Sequence, residues 1–423
     1  MPDTIRIDEI RVNGARLRAR LDALGEIGAL PGGGNARLAL TDTDKAGRDL
    51  VVTWMHDLGL DVRIDAIGNV FAFMRSASTL SPVMCGSHID TVRTGGRFDG
   101  AYGVLAGLEV IETLLEHGCT TARPIGVAFF TNEEGARFAP DMMGSLVHVG
   151  GLPVEIALDT VGIDGARLGV ELVRIGYAGS WPCPGPAPHA FVELHIEQGP
   201  VLDLEGIHIG VVERVQGISW QQLTICGESN HAGTTPMRFR HDAAFAASRV
   251  ACMVRDIALD MGGDQVGTVG AVTLQPNLVN VVAANAVLTV DLRNTDEQLL
   301  KHAEQRLARE IAALAGAEGV TITARVLARF EPVEFDTRVV DLVEHTAKRF
   351  SYSTKRMPSG AGHDAQMLAR VCPAAMIFVP SINGLSHNPA ESTDAADLDA
   401  GADVLLHTLL ALADQGDDPW PAS

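Results

Sequence analysis

The sequence predicts an α/β protein, a mostly parallel sheet flanked by helices, with a smaller α+β domain inserted into it. Three observations carry this expectation. The first third alternates buried strands with helix-period segments, residues 216–330 run strand, helix, two strands, helix, strand, and helix–strand alternation resumes after about residue 331. At 423 residues the chain exceeds one ordinary core and suits two domains of roughly 100 to 200 residues each. The larger domain is expected from 1–215 and 331–423, and the inserted one from 216–330.

The elements follow in order. "DKAGRDLVVTWMHDLGL" has apolar residues at helical spacing, "VRIDAIGNVFAFM" reads as a hairpin through Gly68, and "SPVMCGSHID" reads as a core strand. The helix "GAYGVLAGLEVIETLLEHG" closes at Gly118, and "RPIGVAFFTNEE" is a second buried strand that runs into acidic residues. In the insertion, "GISWQQLTICGES", "DAAFAASRVACMVRDIAL", "GTVGAVTLQ", "NVVAANAVLTVDLRN", "TDEQLLKHAEQRLAREIAALA" and "VTITARVLARF" give the order βαββαβ, a ferredoxin-like unit. "RVVDLVEHTAKRF" and "AAMIFVP" then return to the first sheet. The stretch "PCPGPAP" is a stiff surface connector.

Composition narrows the function. A net charge of -20, from 33 basic and 53 acidic residues, repels a phosphate backbone and an anionic bilayer, so neither nucleic acid nor membrane is an expected partner. "MPDTIRIDEIRVNGARLRARLDALG" contains no apolar run of signal-peptide type, and a cytoplasmic protein is expected. Cysteines 85, 119, 183, 226, 252 and 372 lack CxxC spacing and are read as buried apolar side chains, neither zinc ligands nor disulfides.

Polar residues collect at the ends of the core strands, where ligands gather in open α/β sheets. His88 and Asp90 follow one strand, Glu133 and Glu134 the next, and His195 and Glu197 end "AFVELHIEQGP". Asp99 sits in a glycine-rich turn, and His387 in "SINGLSHNPAES". Histidines and carboxylates without thiolates suit a pair of zinc, manganese, cobalt or nickel ions, which acidify water and polarise a carbonyl. Asp90 would be the acceptor that fixes the His88 tautomer. Taken singly, each histidine also fits a hydrogen-bonded bystander, and Glu133–Glu134 also fits an acidic helix start. "LPGGGNARLAL" is a turn, since no GK[ST] follows it.

Together "GSHIDTVRTGGRFDGAYGV", "TNEEGARF", "ELHIEQGPVL", "NHAGTTPM", "VNVVAANAVLTVDLRN", "SGAGHDAQ" and "LSHNPAE" resemble the carbamoylase and allantoate amidohydrolase (β-ureidopropionase-like) branch of the di-metal aminoacylase/carboxypeptidase superfamily. The motifs keep family order from about residue 15 to 412. The resemblance implies a di-zinc aminopeptidase-like larger domain and a lid and dimerisation domain for the insertion. It implies His88, Asp99 and His195 around one ion and Asp99, Glu134 and His387 around the other, with Asp99 bridging and Glu133 as general base. It also implies that His231 is lent across a homodimer to the neighbouring site, and that Asn280 and Arg293 hold a substrate carboxylate. Gln198, Gly362 and His363 match further substrate contacts. Peptidases of the superfamily usually place a carboxylate where this chain has His195, which points to the amidohydrolase branch.

The expected activity is hydrolysis of a linear C–N amide bond, foremost the carbamoyl group of an N-carbamoyl-L-amino acid or related ureido acid, with release of amine, carbon dioxide and ammonia. Allantoate or ureidoglycolate amidohydrolase chemistry and an aminoacylase or dipeptidase remain as alternatives. A binding protein that has lost catalysis is disfavoured, because Glu133 and all five candidate ligands are present.

Overall fold

The computed structural model describes residues 9–414. Arg214–Glu334 form one compact unit, and the chain on either side of them forms another. Among the described residues no helix is long and apolar enough to cross a membrane.

In the larger unit the strands are β1 (Asp61–Ile64), β2 (Val70–Phe73), β3 (Val83–His88), β4 (Ile125–Phe130), β5 (Ala190–Ile196) and β6 (Ile209–Val215). The insertion follows with β7 (Gly217–Cys226), β8 (Val266–Thr268), β9 (Val272–Gln275), β10 (Asn285–Asn294) and β11 (Thr321–Phe330). Then come β12 (Val333–Glu334), β13 (Thr354–Ser359) and β14 (Ala374–Val379).

The larger sheet runs β1-β2-β4-β3-β5-β14-β6. Its centre is parallel: β3 pairs in that sense with β4 and β5, and β14 with β5. The flanks β2 and β6 run antiparallel to it. Every residue of β3, β4, β5 and β14 is buried, as expected of strands covered on both faces. These strands share a direction, so the loops after His88, Phe130, Ile196 and Val379 all leave the same edge.

The helix Ala101–Glu116 covers this sheet at close range because it turns Gly103 and Gly107 toward the strands. A Cβ on Gly103 would lie 2.2 Å from the carbonyl oxygen of Leu194, and one on Gly107 2.6 Å from Cys85 Sγ. Beside it on the sheet lies Ala395–Ala413, joined by the Tyr102 hydroxyl, which donates to Leu398 O at 2.6 Å. Side-chain caps start several helices: Thr41 accepts from Asp44 N, and Asp336 from Arg338 N.

The inserted sheet has the order β11-β7-β10-β8, with β9 also on β10 and every pairing antiparallel. This is the strand order of a βαββαβ ferredoxin-like unit. Along β10 burial alternates strictly, so Ala286, Leu288, Val290 and Leu292 face the helices Ala243–Met261 and Glu297–Glu318. Their cluster includes Val250, Val254, Leu300 and Leu307. Each such apolar side chain contributes about 1.5–3 kcal/mol on burial.

Two expectations need correction. "GTVGAVTLQ" is two short strands, β8 and β9, because the chain leaves the ladder between Thr268 and Val272. Of the thiols, Cys85 and Cys372 are buried, whereas Cys226 and Cys252 are exposed, the first at the end of β7 and the second on the outer side of its helix.

The close approach of Gly103 gives a test. Gly103→Ala should lower stability by about 1–3 kcal/mol in urea unfolding, because a backbone oxygen cannot rotate out of the way. A neutral or stabilising result, as helix propensity alone would give, would contradict this packing.

Candidate metal centre

His88 is the last residue of β3, and His195 lies one residue before the end of β5. Between them comes Asp99, in the turn that opens the Ala101–Glu116 helix. Gly100 allows that turn in two ways: its φ is 63°, and a Cβ there would lie 2.4 Å from the His88 ring. Glu133 and Glu134 occupy the bend after β4, between two left-handed residues, Asn132 and Gly135. No helix starts there; the next one is Met143–His148, so the helix-start reading of this acidic pair fails. His387 sits in the loop after β14 with φ 52°.

These residues form two groups that share Asp99, one with His88 and His195 and the other with Glu134 and His387. The Oδ1 atom of Asp99 is 3.2 Å from His195 Nε2 and 3.6 Å from His88 Nε2. His387 Nε2 is 3.5 Å from Asp99 Oδ2 and 3.2 Å from Glu134 Oε2. Glu133 Oε2 lies 3.4 Å from His88 Nε2. His88, Asp99 and His195 are almost wholly buried, while the His387 side chain is 51% exposed.

The tautomers are set from behind. Nδ1 of His88 donates to the Asp90 carbonyl at 2.9 Å, and Nδ1 of His195 to the Ile196 carbonyl at 2.8 Å. In the neutral rings this leaves the lone pair on Nε2, the atom on the Asp99 side of each, and that of His195 accepts from Gly100 N–H at 3.0 Å. The expectation for Asp90 changes in one respect. Its backbone carbonyl, not its carboxylate, orients His88. The carboxylate turns instead to the Glu133 and Glu134 amides, at 3.3 and 3.4 Å, and shapes the acidic bend.

Charge and burial compete here. Burial alone would raise the Asp99 carboxyl, but the His195 and His88 rings hold it well below the usual carboxylate range. Burial lowers the His88 imidazole, yet Glu133 and Asp99 raise it well above its ordinary value. Burial lifts the Glu133 carboxyl well above the usual range; His88 opposes this, and Asp364, Glu134 and Asp90 add to it. Hydrogen bonding to Glu134 raises His387 to about 9. An anionic, nitrogen-and-oxygen donor set of this kind fits divalent cations, which replace the protons the imidazoles otherwise hold.

The family model for Peptidase family M20/M25/M40 matches residues 84–411. The chain belongs to that family. It is 40% identical over 405 residues to an N-carbamoyl-L-amino-acid amidohydrolase of Rhizobium meliloti, covering 96% of this chain and 97% of the relative. An allantoate amidohydrolase of Escherichia coli (strain K12) is 36% identical over 393 residues, covering 92% and 96%. A crystal structure of an amidase of the hydantoinase/carbamoylase family from Burkholderia multivorans superposes with a TM-score of 0.90 at 46% identity, covering 96% and 99%. In this M20/M25/M40 member the two groups around Asp99 offer the donors that a pair of metal ions would need.

The remaining sequence candidates divide between the units. In the larger one, half-buried Gln198 has φ 59°, and its Nε2 donates to Asp99 Oδ2 at 3.0 Å. His363 Nε2 lies 2.9 Å from Ser359 Oγ, and its ring centroid is 4.7 Å from that of His195. Ser359 gives its own proton to Ala361 O, so His363 donates to it through Nε2. Burial, then the neighbouring His195, holds the His363 imidazole well below its ordinary pKa. Gly362 has little room, since a Cβ would lie 2.8 Å from Met142 Cε.

In the inserted unit, exposed His231 accepts from Gly233 N and Thr234 N through Nδ1, at 3.1 and 3.2 Å. Its proton is therefore on Nε2. The Asn280 carbonyl accepts from Ala232 N, and its side chain is exposed. Arg293, on β10, grips Asp291 with Nε and a terminal nitrogen, the latter at 2.8 Å.

Residues unread in the sequence complete the cluster. Glu391 accepts the amides of Phe98 and Asp99 at 2.9 and 3.2 Å and so anchors the Asp99 turn. Burial, then the charge of Asp99, raises it to about 7. Glu193 accepts from Ser87 Oγ at 2.6 Å and Ala365 N at 2.7 Å, tying β3 and the helix Asp364–Leu368 to β5. Glu391 stands four residues after His387 in "LSHNPAE", and Glu193 two before His195 in "ELHIEQ", so proximity to a candidate ligand was the available signal.

The His387 proton sets an expected pH dependence. Below about pH 9 the metal-free ring is protonated, so cation binding must displace a proton. Affinity should rise with pH up to that value, with proton release visible as buffer-dependent heat in calorimetry. Affinity independent of pH over this range would contradict the charge balance.

Proposed function

We propose that the chain is an amidohydrolase of linear, non-peptide C–N bonds, and that its substrate is an N-carbamoyl-L-amino acid or a closely related ureido acid. The observation that carries the chemistry is Glu133, buried and 3.4 Å from His88 Nε2 beside the Asp99-centred groups. The substrate class is supported by similarity along nearly the whole chain to proteins named for N-carbamoyl-L-amino acids, and by His195 in place of a carboxylate. Allantoate remains in the substrate set because allantoate amidohydrolases are nearly as similar.

In this proposal His88, Asp99 and His195 hold one divalent cation, and Asp99, Glu134 and His387 the other, from among zinc, manganese, cobalt and nickel. Such a pair supplies Lewis acidity, acidifying water and polarising the ureido carbonyl. Glu133 takes a proton from the attacking water and returns it to the departing nitrogen. Its raised pKa suits both transfers, since a proton carrier works best when its pKa approaches the operating pH. Cleavage frees the amino acid, and the carbamic acid left over breaks down to carbon dioxide and ammonia.

His231 is assigned as the oxyanion donor, provided by a second copy of the chain in a homodimer. The turn amides on Nδ1 support this by leaving the proton on Nε2. Arg293 is assigned to the substrate carboxylate with Asn280, a task suited to a planar fork of donors. Gln198, Gly362 and His363 are assigned to the substrate.

Glu133→Gln should keep two equivalents of metal and the fold, yet lose about a hundredfold or more in kcat. Near-normal turnover would remove Glu133 from the role. Arg293→Ala should raise KM for the acid and narrow its advantage over the corresponding amide. Ammonia release across N-carbamoyl, N-acetyl and N-formyl amino acids and allantoate tests the bond: release confined to the ureido compounds is expected, and turnover of acyl substrates instead would favour an aminoacylase.

A further inference from the structure

The two oxygens of Asp99 have different company. Oδ1 faces His88 and His195, while Oδ2 accepts from Ser386 Oγ and Gln198 Nε2, each at 3.0 Å. Gln198 Nε2 also donates to Ser386 Oγ at 3.2 Å, so its two protons go to the two corners of one triangle. A carboxylate oxygen has two lone pairs, and in this arrangement both are taken. The same Oδ2 is the atom that the group with Glu134 and His387 needs, 3.5 Å from His387 Nε2.

A cation in that group requires one of the two donors to leave. The structure distinguishes them. Gln198 Oε1 is buried with no partner among the described residues, so this pose leaves half of the amide unsatisfied. Its backbone is held independently, with N–H donating to Ser381 Oγ at 3.0 Å, and so the side chain can swing while the main chain stays. Ser386, next to His387, has a short hydroxyl whose bond to Asp99 occupies only one lone pair and orients the carboxylate.

We infer that Gln198 is a latch on Asp99 Oδ2, which the second cation must displace and which is thereby released toward the substrate. Ser386 is a positioning residue that stays on Oδ2 in both states. Loading is consequently ordered. The first ion enters the buried His88–Asp99–His195 group without disturbing Oδ2. The second enters the more exposed group against competition from Gln198. This inference rests on the dimetal reading of the site and concerns what opens its second half.

The test is a cobalt(II) titration of the full chain stripped of metal by chelator, followed by calorimetry and visible absorption. Wild type should take up two equivalents, the second more weakly. Gln198→Ala should leave the first equivalent unchanged and tighten the second by about tenfold; Gln198→Gly, suited to the left-handed backbone there, is the companion variant. Ser386→Ala also frees a lone pair of Oδ2 but loosens the carboxylate, so its second equivalent should bind more weakly than that of Gln198→Ala, again sparing the first. Two equivalents in wild type with no tightening of the second in either Gln198 variant would overturn the latch alone. Uptake of fewer than two equivalents by wild type would overturn the dimetal reading and the latch with it.

Discussion

The carboxylate of Asp99 is the constraint around which the larger unit is arranged. It lies among three imidazoles and faces Glu134 across His387, and its charge is needed to keep those neighbours in one place. Its position depends on backbone more than side chain. Glu391 holds the amides of its turn, Gly100 turns the chain past the His88 ring, and Gly103 lets the following helix touch β5. A shift in any of these would move both oxygens at once, and with them both groups.

Much of this was legible in the sequence because the period of the strands and the direction of a parallel sheet together fix where polar residues can go. A run such as "VMCGSH" cannot place His88 anywhere but a strand end, and parallel pairing brings His195 and the loop of His387 to the same edge. The inserted unit was legible through the strict alternation of β10 and the helix periods on either side of it. Strands β6 and β13, and the helix Ala395–Ala413, were not read. "IGVVERV" carries a charged pair, "TKRMPS" contains a proline, and the helix is too uniformly apolar to show an amphipathic stripe.

What stayed hidden at the site has a different cause. The bend at Glu133–Glu134 depends on Asp90, 43 and 44 positions away, and the Asp99 turn on Glu391, 292 positions away. Hydrogen bonds of that span leave no local pattern. The sequence singled out Asp90 for its nearness to His88, yet it is the peptide carbonyl of that residue that serves the ring, a function any side chain at position 90 would permit. The carboxylate answers to the acidic bend instead.

The grip of Arg293 on Asp291 carries a consequence of its own. In its proposed role Arg293 would meet an incoming acid with a guanidinium whose charge Asp291, two residues away, already partly offsets, so the net electrostatic gain would be small. Attraction between opposite charges is then a poor basis for choosing among acids. In that role reach and shape would do the sorting, favouring guests whose carboxylate arrives at the angle of the fork and leaving the remainder in solution.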